Sequence, residues 1–293
     1  LLNLTLLPIF TDEAIYIRWS QIGTRDAAWR FISLVDGKQP MFTWIMMVFL
    51  RIIRDPLTAG RLVSVAAGAL SLVGIWLLSF ELFRNKKISF LTGFLYVVSP
   101  FALMYDRLAL YDSLVSTFFI WNLYLSVLLV KHARLDIALI LGMVLGAGML
   151  NKSSGFLSLY LLPSTLLLFD WNAKNRGTRL AKWVGLALVS AGLSQMVYAV
   201  LRLAPLYSMI GLKDAVFIYS FGEWLSHPFK FVQGNLRGLF DWVIHYLTWP
   251  IFAASLLSVF ASRGKRKEIL LLLSYWFAPF FALSMLGRVL YPR

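Results

Sequence analysis

The chain has 293 residues, 59% of them hydrophobic and 14% charged, with 23 Phe, 11 Trp and 12 Tyr. That apolar content excludes an ordinary soluble domain and predicts several membrane spans. The formal charge of +14 comes from short basic clusters between apolar runs, not from an aromatic-interleaved patch, which argues against nucleic acid; the absence of cysteine excludes disulfides and thiolate chemistry.

In chain order, residues 1–9 look like the end of a span already under way, so the chain is expected to be a fragment truncated at both ends. The stretch Pro8-Ile-Phe-Thr-Asp-Glu-Ala-Ile-Tyr16 follows. It sets two carboxylates, Asp12 and Glu13, beside a bilayer, where an unpartnered charge is costly and a functional role is the default. A local reading stands beside it: Thr11 or Asp12 caps a helix beginning near Ala14, with Glu13 in its first turn. Residues 10–40 form a polar first loop. Residues 41–54 are apolar but short for a span, and they end in Arg51-Ile-Ile-Arg54, which predicts an interfacial helix. Spans are predicted at about 60–83, 88–105, 113–131, 136–150, 154–169, 180–203, 242–262 and 268–286.

The basic clusters at 84–87, 131–134, 174–179 and 263–267 fall in alternate loops, which predicts a cytoplasmic side for all four. Residues 10–40, 106–112, 151–154 and 204–241 then face outward, and most of the acidic residues go with them. The middle of each predicted span is free of ionisable groups. That argues against an ion-coupled transporter and points to chemistry at the outer surface. No H-x-x-x-H or D-x-D pattern occurs, so no divalent metal or other cofactor is expected.

Three outward motifs coincide: Thr11-Asp-Glu-Ala-Ile-Tyr16, Asp36-Gly-Lys-Gln-Pro-Met-Phe-Thr-Trp44 and Tyr105-Asp-Arg-Leu-Ala-Leu-Tyr-Asp112. Together they resemble the GT-C membrane glycosyltransferases of the dolichyl-phosphate-mannose protein mannosyltransferase and lipid A aminoarabinose transferase type. Leu150-Asn-Lys-Ser-Ser-Gly155 is similar to that superfamily's T-K-G-P turn, and Tyr291-Pro-Arg293 to the start of its P-R-Y motif. Gln39 departs from the pattern, standing where the family has a proline.

The resemblance implies one all-α, polytopic membrane domain over 1–293, with juxtamembrane helices in the first outer loop. It implies transfer of a hexose or pentose from a polyprenyl-phosphate donor to a protein, lipid or glycan acceptor on the extracytoplasmic face. A polyprenol-linked sugar flippase or transporter is the alternative. Within that frame Asp12 is the expected base, with Glu13 as its neighbour or substitute. Lys38 and Arg107, with Lys152 and Arg293, are the expected cations for the lipid phosphate. Asp112 is a further substrate-site candidate; it could also cap the following span or pair with Arg107. Without the family, Lys38 and Arg107 read as snorkelling anchors.

Overall fold

The computed structural model describes residues 3–261 and 264–290. Among these, all regular structure is helical, with a single isolated bridge between Ile218 and Gly287.

Helix α1 runs from Thr11 to Arg25. It starts ahead of the expected Ala14 because the Glu13 carboxylate reaches back and accepts the Phe10 amide at 3.0 Å. Neither Thr11 nor Asp12 is the cap. Two 3-10 turns, Ala27–Trp29 and Ile32–Asp36, lead to α2, Met41–Phe49. Helix α2 has nine residues and stops well before Arg54. At about 13 Å it is less than half as long as a hydrocarbon layer is thick.

Helix α3, Pro56–Phe83, is the long axis of the fold. Asp55 caps it by accepting the Thr58 amide at 2.8 Å, and Pro56 sits in the first turn, where no N–H is needed. Next come α4, Lys86–Val98, and α5, Pro100–Tyr105. The expected span 88–105 is thus broken at Ser99. Pro100 cannot continue a helix from below, since it lacks the N–H and its ring clashes with the carbonyl four residues back.

Helices α6, Asp112–His132, and α7, Leu135–Asn151, follow closely. The expected span 154–169 is a mixture: a 3-10 turn at Ser153–Gly155, α8 at Phe156–Leu161, and a 3-10 stretch at Leu162–Leu168 that opens with Pro163. Helix α9, Arg176–Tyr198, continues through a 3-10 turn to Leu203. The expected loop 204–241 is largely helical, holding α10, Ser208–Phe217, α11, Phe221–Ser226, and most of α12, Val232–Leu247. Helices α13, Trp249–Ala261, and α14, Arg266–Leu286, complete the chain. The expected single span 242–262 is corrected here: the chain bends by 103° between α12 and α13. Thr248 takes a positive φ of 67° at the bend, and Pro250 in the next turn prevents a continuous helix.

Among the described residues, α3, α6, α9 with its extension to Leu203, and α14 are each long and apolar enough to cross a membrane. The bent α12–α13 pair makes a fifth if counted as one span. Large apolar side chains such as Phe90, Phe94, Leu188, Met196, Phe260 and Phe281 point outward, as lipid-facing surfaces require. Polar contacts join the inner helices. Thr117 on α6 donates to the Ala67 carbonyl of α3 at 2.9 Å, and Ser190 on α9 donates to the Ala138 carbonyl of α7 at 2.8 Å. Gly142 and Gly146 admit α9 closely. A Cβ on Gly142 would lie 2.9 Å from the Ser190 carbonyl, and one on Gly146 would press on Val197.

The two ends of the bundle differ in charge chemistry. Glu81 near one end of α3 accepts Lys131 at 2.9 Å and Arg84 at 2.7 Å, and Lys265 donates to the Leu82 carbonyl at 3.3 Å. Three of the four basic clusters therefore meet there. Arg61 stands about 30 Å away along the same helix, roughly one hydrocarbon thickness, and the acidic motifs gather round it.

Candidate active site at the Arg61 end

The acidic pair is the start of this site, and the structure gives its two members different surroundings. Glu13 is fully buried against Arg61, also fully buried. Arg61 Nε donates to Glu13 Oε1 and Nη2 donates to Oε2, each at 2.9 Å. The Ala109 amide adds a bond to Oε1 at 2.7 Å, and the Phe10 amide one to Oε2 at 3.0 Å. Four bonds fill the acceptor capacity of a carboxylate. The remaining guanidinium donors are used as well: Nη1 reaches the Leu4 and Leu7 carbonyls at 2.7 and 3.1 Å, and Nη2 reaches Pro8 at 3.2 Å. One buried ion pair thus ties the segment before α1, α1 itself, α3 and the 106–112 loop together.

Asp12, one residue earlier, is partly exposed. The Tyr16 hydroxyl, one helical turn on, approaches its Oδ2 at 3.5 Å. Tyr16 is a hub. The Lys38 ammonium lies 4.8 Å from its ring centroid, and Tyr111 meets the ring edge-on at 4.7 Å. Ring faces attract cations, so Tyr16 holds Lys38 on the side of α1 that carries Asp12.

Asp36 bridges two lysines, Lys38 at 3.2 Å and Lys213 of α10 at 2.5 Å. Burial alone would raise its pKa, but the hydrogen bonds and charges of Lys213 and Lys38 outweigh it and hold the carboxyl below its ordinary value. Gly37 follows in a left-handed conformation, φ 65°, which turns the chain so that Lys38 can face α1. Gln39, the departure from the family pattern, donates to Ser153 at 2.7 Å, and Ser153 donates to Asp214 at 3.0 Å. Burial pushes the Asp214 carboxyl up, against the Ser153 bond.

The other expected residues fall around this core. Asp112, buried at the start of α6, accepts Lys152 at 3.1 Å. Asn151 beside it donates to the Tyr111 carbonyl at 3.2 Å, so this pair adjoins the Tyr16–Tyr111 contact. Arg107 reaches the Asn3 carbonyl at 3.3 Å, on the chain segment that Arg61 also binds. It does not pair with Asp112, whose partner is Lys152. Arg293 lies outside the described residues.

Arg61, Lys213, Asp214 and Ser153 were not singled out from the sequence. Arg61 carried a signal: it is a lone arginine in an apolar run, and such a residue demands a partner. Lys213 and Asp214 carried none, because nothing in a long polar stretch says which charges will fold back onto the first loop.

A multi-pass helical bundle whose carboxylates, lysines and aromatic rings converge at one end has the make-up of an integral membrane transferase. The family model of dolichyl-phosphate-mannose-protein mannosyltransferases matches residues 37–218. That is more than half of the chain, and the chain belongs to that family: it is a membrane glycosyltransferase of the mannosyltransferase type. The match takes in Lys38, Arg61, Arg107, Asp112, Lys152 and Lys213; Asp12 and Glu13 precede it. No curated protein and no solved structure matches the chain.

Proposed function

We propose that the chain transfers a hexose or pentose from a polyprenyl-phosphate donor to an acceptor hydroxyl of a protein, lipid or glycan, at the Arg61 end of the bundle, with that end outside the cytoplasm. Asp12 takes the acceptor proton. The freed oxygen forms a bond to the anomeric carbon as the bond from that carbon to the phosphate oxygen breaks. The electron pair leaves with the prenyl phosphate, whose charge is met by Lys38, Arg107, Lys152 and Arg293 in place of a metal. The observation that carries this reading is the Tyr16 hub, which sets a partly exposed carboxylate and a lysine against one ring. Glu13, saturated by Arg61 and two amides, is the anchor that positions Asp12. Asp112, buried against Lys152, serves that lysine, which favours single displacement over a two-carboxylate route.

In proteoliposomes supplied with polyprenyl-phosphate mannose and an envelope extract, the protein is expected to release free polyprenyl phosphate and put mannose on an acceptor. Movement of the intact donor across the bilayer with no release would make it a flippase and overturn the proposal. Orientation has its own test. Thr24→Cys and Gly177→Cys, in a chain without native cysteine, are expected to label from opposite sides of the membrane, Thr24→Cys from outside. Labelling of both from one side would overturn the arrangement.

A further inference from the structure

A cavity of about 500 Å³ opens between the C-terminal turn of α1, the first loop and α2, and neither Glu13 nor Arg61 lines it. Its floor is apolar, built from Phe31, Trp44, Met47 and Val48, and its polar walls include two arginines, Arg30 and Arg51. The walls are fixed in place. The Trp44 indole donates to the Arg30 carbonyl at 2.7 Å, and Phe31 packs edge-on against Trp44 at 5.3 Å. Among the described residues neither arginine side chain has an ion pair. Nearby acids have other partners: Glu13 has Arg61, Asp36 two lysines, Asp26 the Ala28 amide, Asp55 the Thr58 amide and Asp12 the Tyr16 hydroxyl. Val48 and Ile52, 58% and 79% exposed, flank Arg51 and extend the apolar floor onto the surface.

We propose that this cavity is a binding site for an anionic phospholipid, with the headgroup phosphate between Arg30 and Arg51 and an acyl chain along Met47, Val48 and Ile52. Two observations select that occupant. The site presents two unneutralised guanidinium groups, the side chain best matched to phosphate oxygens. Those groups border an apolar surface that stays open to the outside, where a soluble anion would gain nothing and a lipid buries its chain. Helix α2 is too short to cross a bilayer, so it can present this edge at the headgroup level. The lipid would hold α2, and α1 packed on it, at a fixed depth. It is neither donor nor acceptor, and the site is separate from the transfer chemistry proposed above.

The test uses the whole chain in detergent, with native mass spectrometry to count bound lipid. Dioleoyl phosphatidylglycerol is the probe, dioleoyl phosphatidylcholine the neutral control, and glycerol 3-phosphate the headgroup without chains. Arg30→Gln/Arg51→Gln is expected to weaken phosphatidylglycerol binding about 25-fold, at roughly a factor of five per arginine, and to leave phosphatidylcholine unchanged. A second measurement does not depend on that variant folding. Thr24 lines the cavity, and maleimide labelling of Thr24→Cys is expected to slow with phosphatidylglycerol and not with the other two. Equal protection by phosphatidylcholine, protection by glycerol 3-phosphate alone, or unchanged phosphatidylglycerol binding in the double variant would each overturn the site.

Discussion

Asp12→Asn is expected to abolish sugar transfer while the protein stays folded and still binds its prenyl-phosphate donor. The amide has the shape of the acid and still accepts the approach of the Tyr16 hydroxyl, but it cannot take a proton from an acceptor. In the proposed mechanism donor binding rests on Lys38, Arg107, Lys152 and the apolar helices, which the substitution does not touch. Loss of a general base costs on the order of a hundred- to ten-thousand-fold in rate. Single-turnover transfer from polyprenyl-phosphate mannose, measured beside equilibrium donor binding, separates the two effects. Lys38→Ala should weaken donor binding as well as rate. Transfer by Asp12→Asn at a near wild-type rate would remove Asp12 from the mechanism.

Glu13→Gln and Arg61→Met are expected to fail for a different reason: each leaves a charged or partly matched group buried with its partner gone. Breaking one side of a buried, hydrogen-bonded ion pair costs about 3–5 kcal/mol. Both side chains are fully buried here. The loss is compounded in Arg61→Met, which also strips donors from the Leu4, Leu7 and Pro8 carbonyls. Removing both charges in Glu13→Gln/Arg61→Met should restore only part of the stability, because one amide oxygen cannot replace the two carboxylate oxygens that accept from Ala109 and Phe10. Thermal unfolding of the four proteins in detergent, read as a double-mutant cycle, should show strong coupling between the two positions. A Glu13→Gln protein with wild-type stability and no transfer would instead make Glu13 the base.

The helices were legible wherever apolar runs were long and uninterrupted, as in α3, α6, α9 and α14. Three of the four basic clusters that the sequence set in alternate loops, through Arg84, Lys131 and Lys265, do meet at one end of the bundle, around Glu81 and Leu82. Length alone misled at 88–105, 154–169 and 242–262. Each contains a proline, Pro100, Pro163 or Pro250, at the break or within a turn of it, which hydropathy averaged over the window hides; a proline alone does not decide, since α14 runs on through Pro279. The Thr248 bend left no other trace, since a threonine with positive φ is imposed by packing and is not a local preference. At the site, composition showed that two carboxylates stood together but not which would be buried. That depends on Arg61 and Ala109, which lie 48 and 96 residues further along the chain than Glu13. Contacts over such separations are set by tertiary structure.

The same separations bear on how the protein is made. Glu13 leaves the ribosome long before its partners: Arg61 follows 48 residues later and the Ala109 amide 96 residues later. At cellular synthesis rates the full interval lasts roughly 5–20 s. For the first half of it, until Arg61 emerges, the carboxylate lacks its counter-charge and cannot rest in hydrocarbon. The stretch around Glu13 is therefore expected to stay in water at the membrane surface until Arg61 has emerged, and its carboxylate gains its last donor with the Ala109 amide. The clamp closes last and from the aqueous side.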